Sequence, residues 1–210
     1  MPLYKSLDLN SQTNVKIWKI TESKEFFINQ LVLKTESLER INGMKSELHQ
    51  RGFLSVRMLL SEFGYADEDL VYDASGKPHL KDGKYISITH SYTFSALVVS
   101  SKKVGVDIEK MRHKIIKIAP KFIGYEMTYL SETDSRLIHK LTWIWCIKES
   151  LYKLYSTPGM GFKNHFLVLP FGTESNRTSA WIIKDHQKSK YKAIFMEFEG
   201  FGCAIVEPNF

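Results

Sequence analysis

Val104-Gly105-Val106-Asp107-Ile108-Glu109, and then Trp145-Cys146-Ile147-Lys148-Glu149-Ser150-Leu151-Tyr152-Lys153, decide how this chain is read; Glu149 stands forty residues after Glu109. The run from Val104 to Ile108 is apolar and β-branched, as a strand is. Strand side chains alternate between faces, so Asp107 and Glu109 point the same way. Two carboxylates then share one small volume. They repel and raise one another's pKa unless a cation lies between them, and a donor set made only of oxygens suits a hard ion such as Mg²⁺. Glu149 can supply a third oxygen. The second stretch reads as the end of a helix over 135–155, which puts Glu149, Lys153 and Trp145 along one stripe at four-residue spacing. Taken alone, a Glu–Lys pair at that spacing is an ordinary helical ion pair worth roughly a few tenths of a kcal/mol. Asp107 and Glu109 alone would equally suit a solvated strand face.

Working outward, Val15 to Ile20 alternates apolar and polar residues as a half-buried strand does, and Thr21 to Ile41 shows apolar residues at helical spacing. A second helix is predicted from about Lys45 to Phe63, stopped at Gly64, with Arg51 and Arg57 on its polar side. Short strands follow at Leu70–Asp73, Tyr85–Thr89, Phe94–Ser101 and Val104–Glu109, with a turn at Ser75-Gly76-Lys77-Pro78. Beyond them come helical stretches at about 115–123, 125–130 and 135–155. Strands at Phe166–Leu169, Ala180–Ile183, Tyr191–Phe198 and Gly202–Val206 complete the chain. Helices mixed with hairpin-type strands in both halves imply an α+β fold of two halves, 1–103 and 104–210.

The chain has 210 residues, 43% of them hydrophobic, enough to bury a sizeable core and to exclude a disordered or fibrous class. No apolar run is long enough to cross a bilayer, and the first residues lack the apolar core of a secretory signal, so a cytoplasmic protein is expected. Cys146 and Cys203 sit in apolar periodic segments, which favours buried reduced thiols. A net charge of +6 favours acidic partners without choosing among nucleic acid, anionic lipid, nucleotide phosphates and acidic protein.

Lys77 in its turn and the Thr89-His90-Ser91 series at a strand end are each capable of touching phosphate. The ordered set Gly76-Lys77-Pro78, Thr89-His90-Ser91, Gly105-Val106-Asp107-Ile108-Glu109 and Trp145-x-x-Lys148-Glu149-x-x-x-Lys153 resembles the 4′-phosphopantetheinyl transferase superfamily, in its long, surfactin-synthetase-activating type. Gly159-Met160-Gly161-Phe162 looks like the glycine-containing loop of that family. The resemblance implies two similar halves packed with pseudo-twofold symmetry and an active site in the cleft between them. It further implies transfer of the 4′-phosphopantetheine arm of coenzyme A to a carrier-protein serine, with Mg²⁺ as cofactor and a monomeric enzyme. Asp107, Glu109 and Glu149 would surround the metal, Lys153 would contact the phosphate under attack, and Glu149, or else Glu109, would take the serine proton. Arg57, Lys77, Thr89 and His90 would hold the coenzyme A phosphates, with Arg51 beside them. Lys121-Phe122-Ile123-Gly124-Tyr125-Glu126 resembles a further family segment but is one residue short.

Two other classes of protein use residues of the same kinds. A metal-dependent nuclease would be expected to carry its lysine two residues after the glutamate; here Lys110 directly follows Glu109 and faces the other way, and position 111 is Met. A silent module that binds coenzyme A or a carrier protein differs from an enzyme only in lacking transfer, and all four charged positions of the proposed centre are present. The expected partners are therefore coenzyme A and an acyl or peptidyl carrier protein, with no nucleic acid and no membrane.

Overall fold

The computed structural model describes residues 3–157, 159–172 and 174–209. The chain divides into two compact units, Met1–Lys102 and Lys103–Phe210.

The first unit is built on an antiparallel sheet in the order β1-β2-β6-β5, from strands Leu3–Asn10 (β1), Thr13–Lys19 (β2), Tyr85–Ser91 (β5) and Phe94–Ser100 (β6). Helix α3, Glu47–Glu62, packs on β2, β5 and β6 and ends before Gly64, whose positive φ of 81° suits a helix stop. Trp18, Phe27, Ile41, Leu54, Leu59, Leu60 and Leu97 form the core. A small hairpin, Leu70–Tyr72 (β3) with Pro78–Leu80 (β4), stands apart from the sheet and carries Lys77.

One long helix was expected from Thr21 to Ile41, but there are two, Lys24–Gln30 (α1) and Thr35–Gly43 (α2). Between them the chain is extended: Leu31 and Leu33 pack on the core while Val32 is 94% exposed. That is a period of two, and it outweighs the helical spacing of the flanking residues. The backbone N–H of Lys34 also donates to Asp67 Oδ2 at 3.2 Å, anchoring the extended link. Strand β1 was not expected. It is an edge strand whose residues are mostly exposed, so it carries little apolar signal.

In the second unit the strand order is β7-β11-β10-β9-β8, all antiparallel. The strands are Gly105–Lys110 (β7), Phe166–Val168 (β8), Arg177–Lys184 (β9), Gln187–Phe198 (β10) and Phe201–Pro208 (β11). Helix α5, Leu137–Tyr155, lies against β7 and β11. Its apolar side, with Trp143, Ile144, Ile147 and Leu151, meets Phe166, Phe195 and Ala204. Where helix was expected over 115–123, helix α4, Lys114–Ile118, continues as a 3₁₀ turn, Ala119–Lys121, containing Pro120. Proline has no N–H and its ring crowds the preceding turn, which ends the α-helix there. Tyr125–Thr128 is likewise a single 3₁₀ turn, and a short helix α6, Phe162–His165, precedes β8. Both cysteines are buried thiols, and among the described residues no helix is long and apolar enough to cross a membrane.

Candidate active site

Glycine decides how closely α5 approaches β7. A Cβ placed on Gly105 would lie 1.9 Å from the carbonyl oxygen of Ser150, so only a residue without a side chain lets the helix backbone come this near the strand. On the neighbouring strand the fit is looser: a Cβ on Gly202 would meet side chains, Thr142 Cγ2 at 3.1 Å and Trp143 Cδ1 at 3.2 Å. The helix is also bonded to the sheet, with Ser150 Oγ 3.0 Å from the Ala204 carbonyl and Cys146 Sγ 3.5 Å from that of Gly202.

Gly105, Asp107 and Glu109 alternate along one strand and therefore all face α5. The last turns of the helix thus stand over the two carboxylates. Lys153 Nζ lies 2.8 Å from Asp107 Oδ1 and donates to the Val106 carbonyl at 3.0 Å. Four-residue spacing alone would offer Lys153 its helical neighbour Glu149, but the close approach of strand and helix gives it Asp107. Asp107 is only 5% exposed, and so its charge is balanced by this ammonium.

Glu149 stands half-buried beside this pair. Burial pushes its carboxyl up to about 7; the charge of Asp107 adds to that, Lys153 opposes it, and Glu109 adds a smaller push. The same carboxylates reach Cys146, whose thiol is raised first by burial and then by Asp107. Asp107, Glu109, Glu149 and Lys153 therefore form one electrostatic group. Among the described residues no three His, Cys, Asp or Glu side chains are gathered closely enough to hold a metal ion in this arrangement. The donor chemistry still suits a hard divalent cation, since all three side chains offer carboxylate oxygens.

In the first unit the expected phosphate ligands divide into different kinds. His90 is exposed on β5, and its ring packs on Gly52 of α3, where an added Cβ would lie 3.1 Å from Nδ1. Thr89 is buried, on the opposite face of β5 from His90, because the strand continues to Ser91. The three residues therefore do not present their polar groups in series. Lys77 sits in a turn built by Asp73, whose carboxylate accepts from the N–H groups of Ser75 at 2.9 Å and Lys77 at 3.0 Å, with His79 Nε2 2.9 Å away. Bonds from Ser75 and then His79 hold the Asp73 carboxyl well below the usual carboxylate range.

Arg51 is half-buried and donates to the Ile20 carbonyl at 3.3 Å, while its Nε has no hydrogen-bond partner. Arg57 lies inside the unit rather than on the expected polar side of its helix. It is 3% exposed, stacks 3.6 Å over the Phe53 ring, and bonds Asp67 Oδ1 at 3.0 Å and Tyr72 Oη at 3.4 Å. As placed, its guanidinium ties α3 to the Lys77 hairpin through Tyr72. Apolar neighbours did not betray this, because an arginine stem packs on a core as readily as it reaches solvent.

Sequence reasoning gave no role to Lys148 and had no secure place for Glu126. Both are fully buried and lie 2.8 Å apart. The available signal was Lys148 itself, a charge set among Trp145, Cys146, Ile147 and Leu151 on the apolar side of α5.

A strand-borne carboxylate pair facing a helix-borne carboxylate and lysine defines a class of centre suited to metal-assisted chemistry on phosphate. Residues 103–206 match the family model described as the 4′-phosphopantetheinyl transferase superfamily. A 4′-phosphopantetheinyl transferase, gsp, of Aneurinibacillus migulanus is 26% identical over 154 residues, which is 70% of this chain and 62% of that protein. Enterobactin synthase component D of Salmonella typhi, and that of Salmonella typhimurium, are each 34% identical over 83 residues, 38% of this chain and 36% of theirs. The chain belongs to the 4′-phosphopantetheinyl transferase superfamily. It spans about three fifths of the length of the first of these relatives and about a third of the others.

Proposed function

We propose that this protein transfers the 4′-phosphopantetheine group of coenzyme A to a serine hydroxyl of an acyl or peptidyl carrier protein, as an enzyme of the long type. The observation that carries the proposal is the seating of Glu149 and Lys153 of α5 over Asp107 and Glu109 of β7, made possible by Gly105. In the reaction the serine oxygen bonds the phosphorus that bears the pantetheine arm. The pyrophosphate P–O bond breaks, adenosine 3′,5′-bisphosphate leaves, and the serine proton goes to a carboxylate. Glu149, the carboxylate that α5 brings to the pair on β7, is the first choice for that base, and Glu109 is the second.

Asp107, Glu109 and Glu149 would hold Mg²⁺, which supplies neutralisation of charge on the pyrophosphate oxygens. Lys153, now on Asp107, would exchange its carboxylate partner for the phosphate under attack. In the first unit, Lys77, His90 and Arg51 are the proposed cations for the nucleotide phosphates. Arg57 and Thr89 support them from within. The pseudo-twofold relation and shared cleft expected of the family are proposed with this reading. What supports them is that each unit by itself is an antiparallel sheet with one long helix against it. The proposal extends to a cytoplasmic monomer that engages neither nucleic acid nor membrane.

The test is mass spectrometry of an apo carrier protein incubated with this protein, coenzyme A and Mg²⁺. The carrier should gain the mass of one phosphopantetheine group. No gain on any of several acyl and peptidyl carriers, with coenzyme A binding intact, would leave a binding module in place of an enzyme.

A further inference from the structure

Glu126 and Lys148 are each 0% exposed, and between them their side chains bond two separate segments of the second unit. Lys148 Nζ is 2.8 Å from Glu126 Oε1 and donates to the carbonyls of Phe122 at 2.7 Å and Phe162 at 3.2 Å. Glu126 accepts from the N–H of Gly124 at 3.0 Å and of Val168 at 2.8 Å. Two connections are thereby tied to α5, the 122–128 segment before it and the 159–168 segment after it. They also touch one another: a Cβ on Gly124 would lie 2.7 Å from the Lys163 carbonyl oxygen. Trp145, four residues before Glu149, is held between Phe122 at 5.0 Å and Phe162 at 5.3 Å.

A buried ion pair is a poor device for stability alone, since apolar residues of similar volume generally serve as well, whereas removing one partner costs about 3–5 kcal/mol. What the charges add here is placement. Apart from the ion pair itself, each of these side-chain bonds ends on a named backbone atom, and Lys148 is the residue next to Glu149.

We propose that Glu126 and Lys148 are positioning residues: together they fix the connections flanking α5, and so the setting of Glu149 and Lys153, for the transfer reaction. This rests on the transferase reading given above. A small displacement of a catalytic group costs far more turnover than binding, on the order of 10²-fold for about 1 Å.

The experiment compares wild type with the apolar swap Glu126→Leu/Lys148→Met, which leaves no orphaned charge. Three quantities are measured: coenzyme A affinity, kcat for carrier modification, and amide hydrogen exchange. Expected are a folded protein, coenzyme A affinity within about twofold, faster exchange over 122–128 and 159–168, and kcat lower by about 10²-fold. Unchanged kcat overturns the proposal, whatever the exchange shows, and so does lowered kcat with unchanged exchange. If the swap does not fold, Glu126→Gln/Lys148→Met, which keeps an acceptor for Val168, is measured against the same outcomes. If wild type itself transfers nothing, the transferase reading has failed. The positioning claim then stands or falls on the exchange measurement alone.

Discussion

At the residue scale, Glu149 ties stability to acidity. Its carboxyl is raised from 4.5 to about 7, so the folded protein holds a proton that the unfolded chain releases. Stability from this group is therefore fully present below about pH 4.5 and is lost as pH rises through about 7. Replacing Glu149 with Gln should leave the unfolding temperature in chelator almost unchanged near pH 5 and raise it above wild type near pH 8. Thermal unfolding scanned across that range checks this, and a constant difference at all pH values would sink it. Lys153 makes a second claim. Its Nζ now sits on Asp107, and in the proposed reaction it acts where negative charge is greatest. Lys153→Ala should lower kcat by about 10²–10³-fold while changing the coenzyme A dissociation constant only a few-fold. Single-turnover kinetics beside equilibrium binding separate the two, and the reverse pattern would make Lys153 a ground-state binder.

At the scale of elements, two glycines predict opposite outcomes. Gly105→Ala forces a methyl against the backbone oxygen of Ser150, which has no side-chain freedom to give way, so α5 must move off β7. Overpacking of this kind costs about 1–3 kcal/mol, and here the displaced helix carries Glu149 and Lys153, so transfer should fall further than stability does. Gly52→Ala meets only the His90 ring at 3.1 Å, a side chain that can turn aside. Within α3 the alanine adds about 0.5–1 kcal/mol of helix stability, so the variant should keep or gain stability while weakening coenzyme A binding through the moved imidazole. Denaturant midpoints together with coenzyme A titrations test both; a destabilised Gly52→Ala with unchanged affinity would remove His90 from the site. The same elements show what sequence can and cannot convey. That Asp107 and Glu109 share a face follows from the period of a strand, and the extent of α5 from its long helical pattern. The pairing of Lys153 with Asp107 does not follow, because it depends on a backbone approach between residues far apart in the chain. The burial of Arg57 is hidden for a related reason: its partners Asp67 and Tyr72 lie beyond the end of its own helix. The break at Leu31–Lys34 was readable as alternation, but the helical spacing on both sides masked it.

At the scale of the whole molecule, the chain carries 29 Lys and Arg against 23 Asp and Glu, a formal charge of +6. A buried pair such as Glu126–Lys148 adds nothing to that field, and neither does Arg57 with Asp67, because each is neutral as a unit. The excess is carried by exposed side chains, among them Lys114, Lys117 and Lys121 of the segment before α5, with His113 beside them. If the acceptor is an acidic carrier protein, as the proposed function holds, this field accelerates encounter rather than the chemical step. Salt should then act on one kinetic constant and spare the other. Raising ionic strength from about 50 to about 300 mM shortens the screening length from roughly 14 to roughly 6 Å, and kcat/KM for the carrier should fall several-fold while kcat at saturating carrier stays within about twofold. Steady-state kinetics at fixed saturating coenzyme A and Mg²⁺ measure this directly. A kcat/KM that does not respond to salt would mean that apolar contact, not charge, selects the carrier, and would leave the net charge of the chain without a part in the reaction.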